Sequence, residues 1–302
     1  MKTKGVVEGI IANLVLVRVN GPVAQNEIAY IHIGEVELMS EVIKVVGKNV
    51  YVQVYESTRG LKVGAEVEFQ GHSLEVVLGP GMLSKNYDGL QNDLDKMTDI
   101  FLKRGEHTYP IDENRLWDYK PLVHVGDRVR SGSWIGETQE NGKPHRLMVP
   151  FTFEGEYIVK SLAGEGKYNV NKVIAVLADD KGKEVDVTMV QRWSVKRANT
   201  CYKEKPRPFR LLETGVRTID TANPICEGGT GFIPGAFGTG KTVLQHAISK
   251  QADADIVIIA ACGERANEVV EIFTEFPELE DPHTGRKLME RTIIIANTSN
   301  MP

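Results

Sequence analysis

The segment Gly235-Ala-Phe-Gly-Thr-Gly-Lys-Thr242 has the residue types and spacing G-x-x-x-x-G-K-T. Gly235, Gly238 and Gly240 allow a backbone tight enough to turn its N–H groups inward around a chain of phosphates, with Ala236, Phe237 and Thr239 completing the loop. A helix that begins at the Lys directs its positive end at the same anion. Lys241 then supplies a mobile cation to the outer phosphates, and Thr242 offers a hydroxyl to Mg²⁺. The chemistry these residues suit is capture of a nucleoside polyphosphate such as ATP or ADP.

A second group follows 22 residues after Thr242, where the apolar run Ile256–Cys262 leads into Gly263-Glu264-Arg265. In an open parallel sheet, ligands sit beyond the carboxyl ends of the strands, so Glu264 and Arg265 should emerge on the edge that carries the phosphate loop. A carboxylate there can orient or deprotonate a water for in-line attack, and an Arg can neutralise the charge that develops. The same spacing also fits a surface ion pair capping the next helix.

The elements around these groups read as alternating strand and helix. Thr230–Pro234 reads as a short strand, Lys241–Ala252 as a helix, Asp255–Ala261 as a buried strand, Asn267–Phe276 as a helix ended by Pro277, and Arg291–Asn297 as another strand. That order implies parallel pairing in an α/β domain. Earlier in the chain, Leu14–Val19, Glu27–Ile33, Val36–Val46, Val50–Tyr55 and Glu66–Phe69 read as short strands separated by turns, with Gly5 in a strand before them. Such a succession suggests a small closed barrel.

Leu90, Leu94, Met97 and Phe101 fall on one helical face, which predicts a connecting helix over 88–102. From Leu122 to Val190 the strand-and-turn texture returns. The run Val123-His-Val-Gly-Asp-Arg-Val129 resembles the hammerhead of biotinyl and lipoyl carrier domains, but the tight turn reads Leu147-Met-Val-Pro150 and has no Lys to carry a cofactor. A structural β-domain is expected there. Arg192–Arg210 holds seven Lys or Arg against one acid, with Pro206 and Pro208, and reads as a solvated linker.

Composition limits the alternatives. The 302 residues are 41% hydrophobic and 25% charged, enough apolar material for more than one core. The net charge of −5 gives no bulk attraction to nucleic acid or anionic lipid. No apolar run approaches the ~20 residues of a membrane-spanning helix. The three cysteines form neither a disulfide framework nor a metal-type pair, which suits a reducing cytoplasm.

Taken together, these residues resemble the catalytic A (alpha) subunit of V-type and archaeal-type rotary ATPases. The likeness is carried by Leu212-Glu-Thr-Gly-Val-Arg-Thr-Ile-Asp220, the phosphate loop, Cys262-Gly-Glu-Arg265, Asn267-Glu268, Phe276-Pro-Glu-Leu279, Leu288-Met-Glu-Arg291 and Ile295-Ala-Asn-Thr-Ser-Asn-Met-Pro302. Tyr87-Asp-Gly-Leu-Gln91 and Gly60-Leu-Lys-Val-Gly64 agree as well. The resemblance implies a multi-domain β and α/β protein. It comprises an N-terminal β-barrel (1–80), a helical connector (81–114), an inserted β-rich bulge domain (115–190) and the first part of a RecA-like P-loop domain (191–302). It also implies that Lys241 and Thr242 hold MgATP, that Glu264 activates the attacking water and that Arg265 contacts the γ-phosphate region.

Three such subunits would alternate with three B subunits, which supply an arginine finger in trans, around central and peripheral stalks. The assembly would be cytoplasmic and peripheral to the membrane, coupling ATP hydrolysis or synthesis to proton or sodium-ion transfer. The alternatives are another hexameric motor of the superfamily, such as an F-type β subunit or a protein-export ATPase, and a non-catalytic ring subunit. The bulge segment argues against the former, and intact Lys241, Thr242 and Glu264 argue against the latter. Asn92-Asp93 and Ala266 depart from the family's usual Arg-Pro and Gly. The strand that ends in the family's Mg²⁺-directing Asp would lie beyond Pro302, and here Asn297 follows the last strand. The resemblance therefore implies a chain truncated before the end of its nucleotide domain and leaves its activity alone open.

Overall fold

The computed structural model describes residues 2–97, 103–202, 204–236, 238–299 and 301. Six strands near the N-terminus alternate buried and exposed side chains, the period-two pattern of a sheet with one apolar face. They are β1 (Lys4–Ile11), β2 (Leu14–Val19), β3 (Glu27–Ile33), β4 (Val36–Val46), β5 (Asn49–Val54) and β6 (Glu66–Ser73). They close into a barrel in the order β1-β2-β5-β4-β3-β6, sealed by antiparallel pairing of β6 with β1. Val17, Ile31, Leu38, Val52 and Phe69 fill the interior. A Cβ at Gly5 would lie 2.6 Å from the Val17 side chain, so only glycine lets β1 approach β2 this closely.

The next strands are β7 (Glu75–Leu78), β8 (Lys85–Asp88), β9 (Trp117–Pro121), β10 (Arg128–Arg130), β11 (Trp134–Glu140) and β12 (Lys143–Met148). They are followed by β13 (Glu156–Leu162), β14 (Gly166–Tyr168), β15 (Ala175–Ala178), β16 (Glu184–Val187) and β17 (Gln191–Ser194). Two four-stranded sheets, β10-β13-β15-β16 and β12-β11-β9-β14, enclose a core that includes Trp117, Tyr119, Ile135, Val159 and Leu177. β17 returns to pair with β7. Just beyond it, Lys196 of the basic stretch reaches Glu41 and Asn26 of the barrel, and Arg197 lies 3.7 Å from Glu154.

The last part contains α1 (Arg217–Ala222), α2 (Lys241–Gln251), β18 (Val257–Glu264), α3 (Ala266–Glu275) and β19 (Thr292–Thr298). β18 and β19 pair in parallel, as the alternation of elements implied, from Val257↔Thr292 to Glu264↔Thr298. α3 buries Val269 and Ile272, and the latter joins Phe276, Leu288 and Ile294 in one cluster. β8, which precedes the sandwich in sequence, adds to the far side of β19 in parallel, giving the order β18-β19-β8.

Among the described residues two expected elements are not formed. Thr230–Pro234 is not a strand: it has no ladder partner, and Phe232 within it is 86% exposed. A single apolar run without a neighbour to receive its hydrogen bonds gains nothing from extension into a strand. The helix expected over 88–102, within the 81–114 connector, is replaced through Met97 by the end of β8, a turn and one 3₁₀ turn at Leu94–Lys96. The Asp88 carboxylate accepts the N–H groups of Leu90 and Asn92, and Gln91 takes φ 65°. Local side-chain bonds of this kind compete with helical ones. The remainder of that expectation, including Phe101, lies outside the described residues.

The barrel-sandwich part is fastened to the loop before β8 by a buried carboxylate. Glu140 is 2% exposed; its Oε1 accepts N–H bonds from Gly81 (2.8 Å) and Leu83 (2.9 Å), and its Oε2 meets His145 Nδ1 at 2.9 Å. Burial pushes its pKa up, but the bonds from His145, Leu83 and Gly81 outweigh it and the net shift is downward. The stabilisation is therefore complete above the unfolded value of about 4.3 and is lost as the pH falls through the lower folded value. Glu140→Gln should cost about 1–3 kcal/mol at pH 7. In thermal melts, its gap from wild type should narrow steadily as the pH is lowered through 4; a pH-independent gap would contradict the assignment.

Candidate functional site

The glycine-rich loop needs its glycines for two reasons, close packing at one and left-handed backbone at two others. A Cβ at Gly235 would collide with the Thr239 hydroxyl, while Gly238 and Gly240 adopt φ 77° and 81°. Gly240 is the N-cap of α2, so the left-handed turn there delivers the chain into the helix at Lys241. Lys241 Nζ donates to the carbonyls of Gly235 (2.7 Å) and Ala236 (2.8 Å), and Thr239 Oγ1 donates to Ala236 O at 2.7 Å. The ammonium is thus held over the mouth of the loop by weak neutral acceptors that an anion can replace. Phe237 lies outside the described residues.

The opposite wall is built by the end of β18. Gly263, at φ 68°, sits at a register shift between Cys262 and Glu264, and Glu264 O still accepts the Ser299 N–H at 2.8 Å. The shift holds Glu264 at the sheet's carboxyl edge. Arg265 is the N-cap of α3, with an extended backbone. Loop and strand end meet in a cleft of ≈ 600 Å³ lined by Gly238, Thr239, Gly240, Lys241, Thr242, Glu264, Arg265 and Glu268. Gly235 and Ala236 take part through the carbonyls that hold Lys241.

Glu268, in the first turn of α3, joins the two walls: Thr242 Oγ1 donates to its Oε2 at 2.7 Å. The pKa of Glu264 is raised, chiefly by a hydrogen bond to Glu268, then by burial and by the charge of Glu268. Glu268 is lowered, first by the Thr242 hydroxyl and then by the bond to Glu264. The neighbouring carboxyls shift each other in opposite directions, so protonation is favoured on Glu264 over Glu268. Sequence reasoning assigned Glu268 no role of its own. Its position four residues after Glu264, three into a helix whose start faces the loop, was the available signal.

Thr242 and Glu268 present two hard oxygen donors on one side of the cleft, a set that suits Mg²⁺ when phosphate oxygens complete the shell. Among the described residues no group of three or more His, Cys, Asp or Glu could hold a metal without such help. No helix among them is long and apolar enough to cross a membrane.

A glycine loop entering a helix at Lys-Thr, beside a parallel sheet whose strand end carries an acid, defines a P-loop α/β protein. The sequence matches three family models in series: the beta-barrel domain of the ATP synthase alpha/beta family over 7–71, its barrel-sandwich domain over 108–196 and its nucleotide-binding domain over 215–302. It is 50% identical to the V-type ATP synthase alpha chain of Treponema denticola, over 100% of this chain and 52% of that protein. Identity is 49% to V-type ATP synthase alpha chain 1 of Treponema pallidum, with the same coverage. It is 48% to the V-type ATP synthase alpha chain of Chlamydia pneumoniae, over 96% of this chain and 49% of that one. The chain belongs to the ATP synthase alpha/beta family. It spans about half the length of the curated relatives it matches.

The influence of Glu268 on Glu264 gives a direct check. In Glu268→Gln, Glu264 loses its carboxylate neighbour, and its pKa should fall back toward the ordinary Glu value of about 4.3. A ¹³C titration of the Glu264 carboxyl in the 302-residue chain measures this; an unchanged midpoint would mean that burial alone raises it.

Proposed function

We propose that this chain supplies the phosphate-binding loop and the water-activating carboxylate of a catalytic subunit in a rotary V-type ATPase. The complex would hydrolyse or synthesise ATP and couple that reaction to proton or sodium-ion transfer across a membrane. The observation that carries the reading is the convergence of Lys241, Thr242, Glu264 and Glu268 on one cleft. The relatives' printed name, V-type ATP synthase alpha chain, supports the same reading.

In this mechanism Gly235–Thr242 cradles the phosphates of ATP or ADP, with the N-terminal N–H groups of α2 directed at them. Lys241 exchanges the Gly235 and Ala236 carbonyls for phosphate oxygens, a gain because charge-assisted hydrogen bonds are about twice as strong as neutral ones. Thr242 and Glu268 would hold Mg²⁺, which neutralises charge on the phosphates. Glu264, as its carboxylate, accepts a proton from the attacking water, and the pKa raised by the neighbouring Glu268 makes it the better base. Arg265 stands at the same strand end to offset charge on the transferring phosphoryl group.

The partners in this reading are B subunits, each giving an arginine finger in trans, together with central and peripheral stalk subunits. The chain would sit in the cytoplasm, peripheral to the membrane through the complex, with no nucleic-acid role. The barrel-sandwich match over 108–196 and the relatives' name favour this over an F-type β or protein-export subunit. The intact Lys241, Thr242 and Glu264 favour turnover over a non-catalytic ring subunit.

A base that acts only in the transition state contributes to rate and not to ground-state binding. In the assembled full-length enzyme, Glu264→Gln should keep MgATP affinity within a few-fold while turnover falls at least ~10²-fold. Affinity that weakens in step with turnover would make Glu264 a binding residue. No change in either would leave it a surface ion pair.

A further inference from the structure

The tip of the β11–β12 hairpin grips the start of every strand in the parallel sheet. Its two-residue loop is Asn141-Gly142, with φ 50° and 77°, between the paired residues Glu140 and Lys143. Both positive angles mark a type I′ turn, for which Asn-Gly is the favoured sequence. Asn141 Nδ2 donates to Ser84 Oγ (3.0 Å) and to Glu290 O (2.8 Å), and Asn141 O accepts from Arg286 NH1 at 2.8 Å. Lys143 Nζ reaches Asp255 at 3.2 Å. Ser84 immediately precedes β8, Asp255 lies two residues before β18, and Glu290 two before β19. Gly142 allows the close approach, because a Cβ there would collide with the Arg286 guanidinium.

Two residues of the hairpin, Asn141 and Lys143, therefore reach the amino ends of three strands whose order in the sheet is β18-β19-β8. Glu264 stands at the other end of β18, seven residues on, or about 23 Å at 3.3 Å per residue. A strand paired along its whole length is stiff in that direction, so where its start is held decides where its end lies. Among the described residues, the phosphate loop and α2 make no such bond to the hairpin.

We propose that Asn141 is a positioning residue for Glu264: through its bonds to Ser84, Glu290 and Arg286, the hairpin fixes the sheet relative to the barrel-sandwich domain and so fixes the catalytic carboxylate against the loop. The inference rests on the role given to Glu264 above. It makes the sandwich a lever on turnover as well as a structural insertion, since force on that domain reaches the site along β18.

The test is Asn141→Gly in the assembled full-length ATPase, because glycine keeps the turn and removes both side-chain donors. Misplacement of a reacting group by about 1 Å costs up to 10²-fold. The expected result is a fall in kcat of roughly tenfold with the KM for MgATP within twofold. Arg286→Ala, which cuts the same clip from the other side, should give the same split and decides the matter if the first variant does not assemble. A lowered melting temperature with unchanged kcat would make the hairpin purely structural and overturn the proposal, as would a KM that rises in proportion. Glu264→Gln run alongside separates the two ideas. If it leaves turnover intact, the reading of Glu264 fails. If it abolishes turnover while the hairpin variants retain theirs, only the present inference fails.

Discussion

The parallel pairing of β18 with β19 is the constraint on which the candidate site depends. It runs from Val257↔Thr292 to Glu264↔Thr298 and fixes the height at which Glu264 leaves the sheet. Parallel strands need a crossover, and α3 provides it, burying Val269 and Ile272 over the pair. The crossover also brings Glu268, in the helix's first turn, to the Thr242 hydroxyl. Loop and crossover helix are thus joined by a hydrogen bond, with the strand-end Glu264 beside Glu268, an arrangement that would not exist if the register slipped by a residue.

The sheet does not stand alone. β8 arrives from the connector after the barrel and pairs with β19, while Tyr87 within it is buried and donates its hydroxyl to Pro110 O at 2.9 Å. At the hairpin tip Asn141 bonds next to the starts of β8 and β19, Lys143 reaches Asp255 ahead of β18, and Glu140 binds the loop before β8. Cohesion between the parts comes from a few polar bonds between backbone and buried side chains more than from a continuous apolar core. The apolar clusters within barrel, sandwich and sheet are separate.

Where the sequence repeats a local rule, the structure was legible in it. β2, β3 and β4 fall on the residues that their Val, Ile and Tyr content marks, and the phosphate loop announces itself by spacing. Parallel pairing followed from strand–helix–strand alternation. What was not legible depended on distant partners. Thr230–Pro234 has strand composition but no neighbour to pair with. The stripe Leu90, Leu94, Met97 suggested a helix, yet the Asp88 carboxylate draws the backbone into a turn. β8 is four residues long and owes its existence to β19, 200 residues later. Glu268 lacked a motif of its own, and its role shows only once α3 brings it to Thr242. Asn-Gly is favoured in tight hairpin turns, but nothing local to Asn141-Gly142 says what its tip touches.

In the proposed mechanism Gly235–Thr242 binds phosphate through Lys241. The most direct measurement is equilibrium titration of the full-length protein with a non-hydrolysable MgATP analogue, wild type against Lys241→Ala. Losing hydrogen bonds from a charged donor costs about 1.5–3 kcal/mol, a factor of roughly 10–150 in Kd. A weakening of at least tenfold is expected, with the melting temperature little changed. Affinity within twofold of wild type would contradict it.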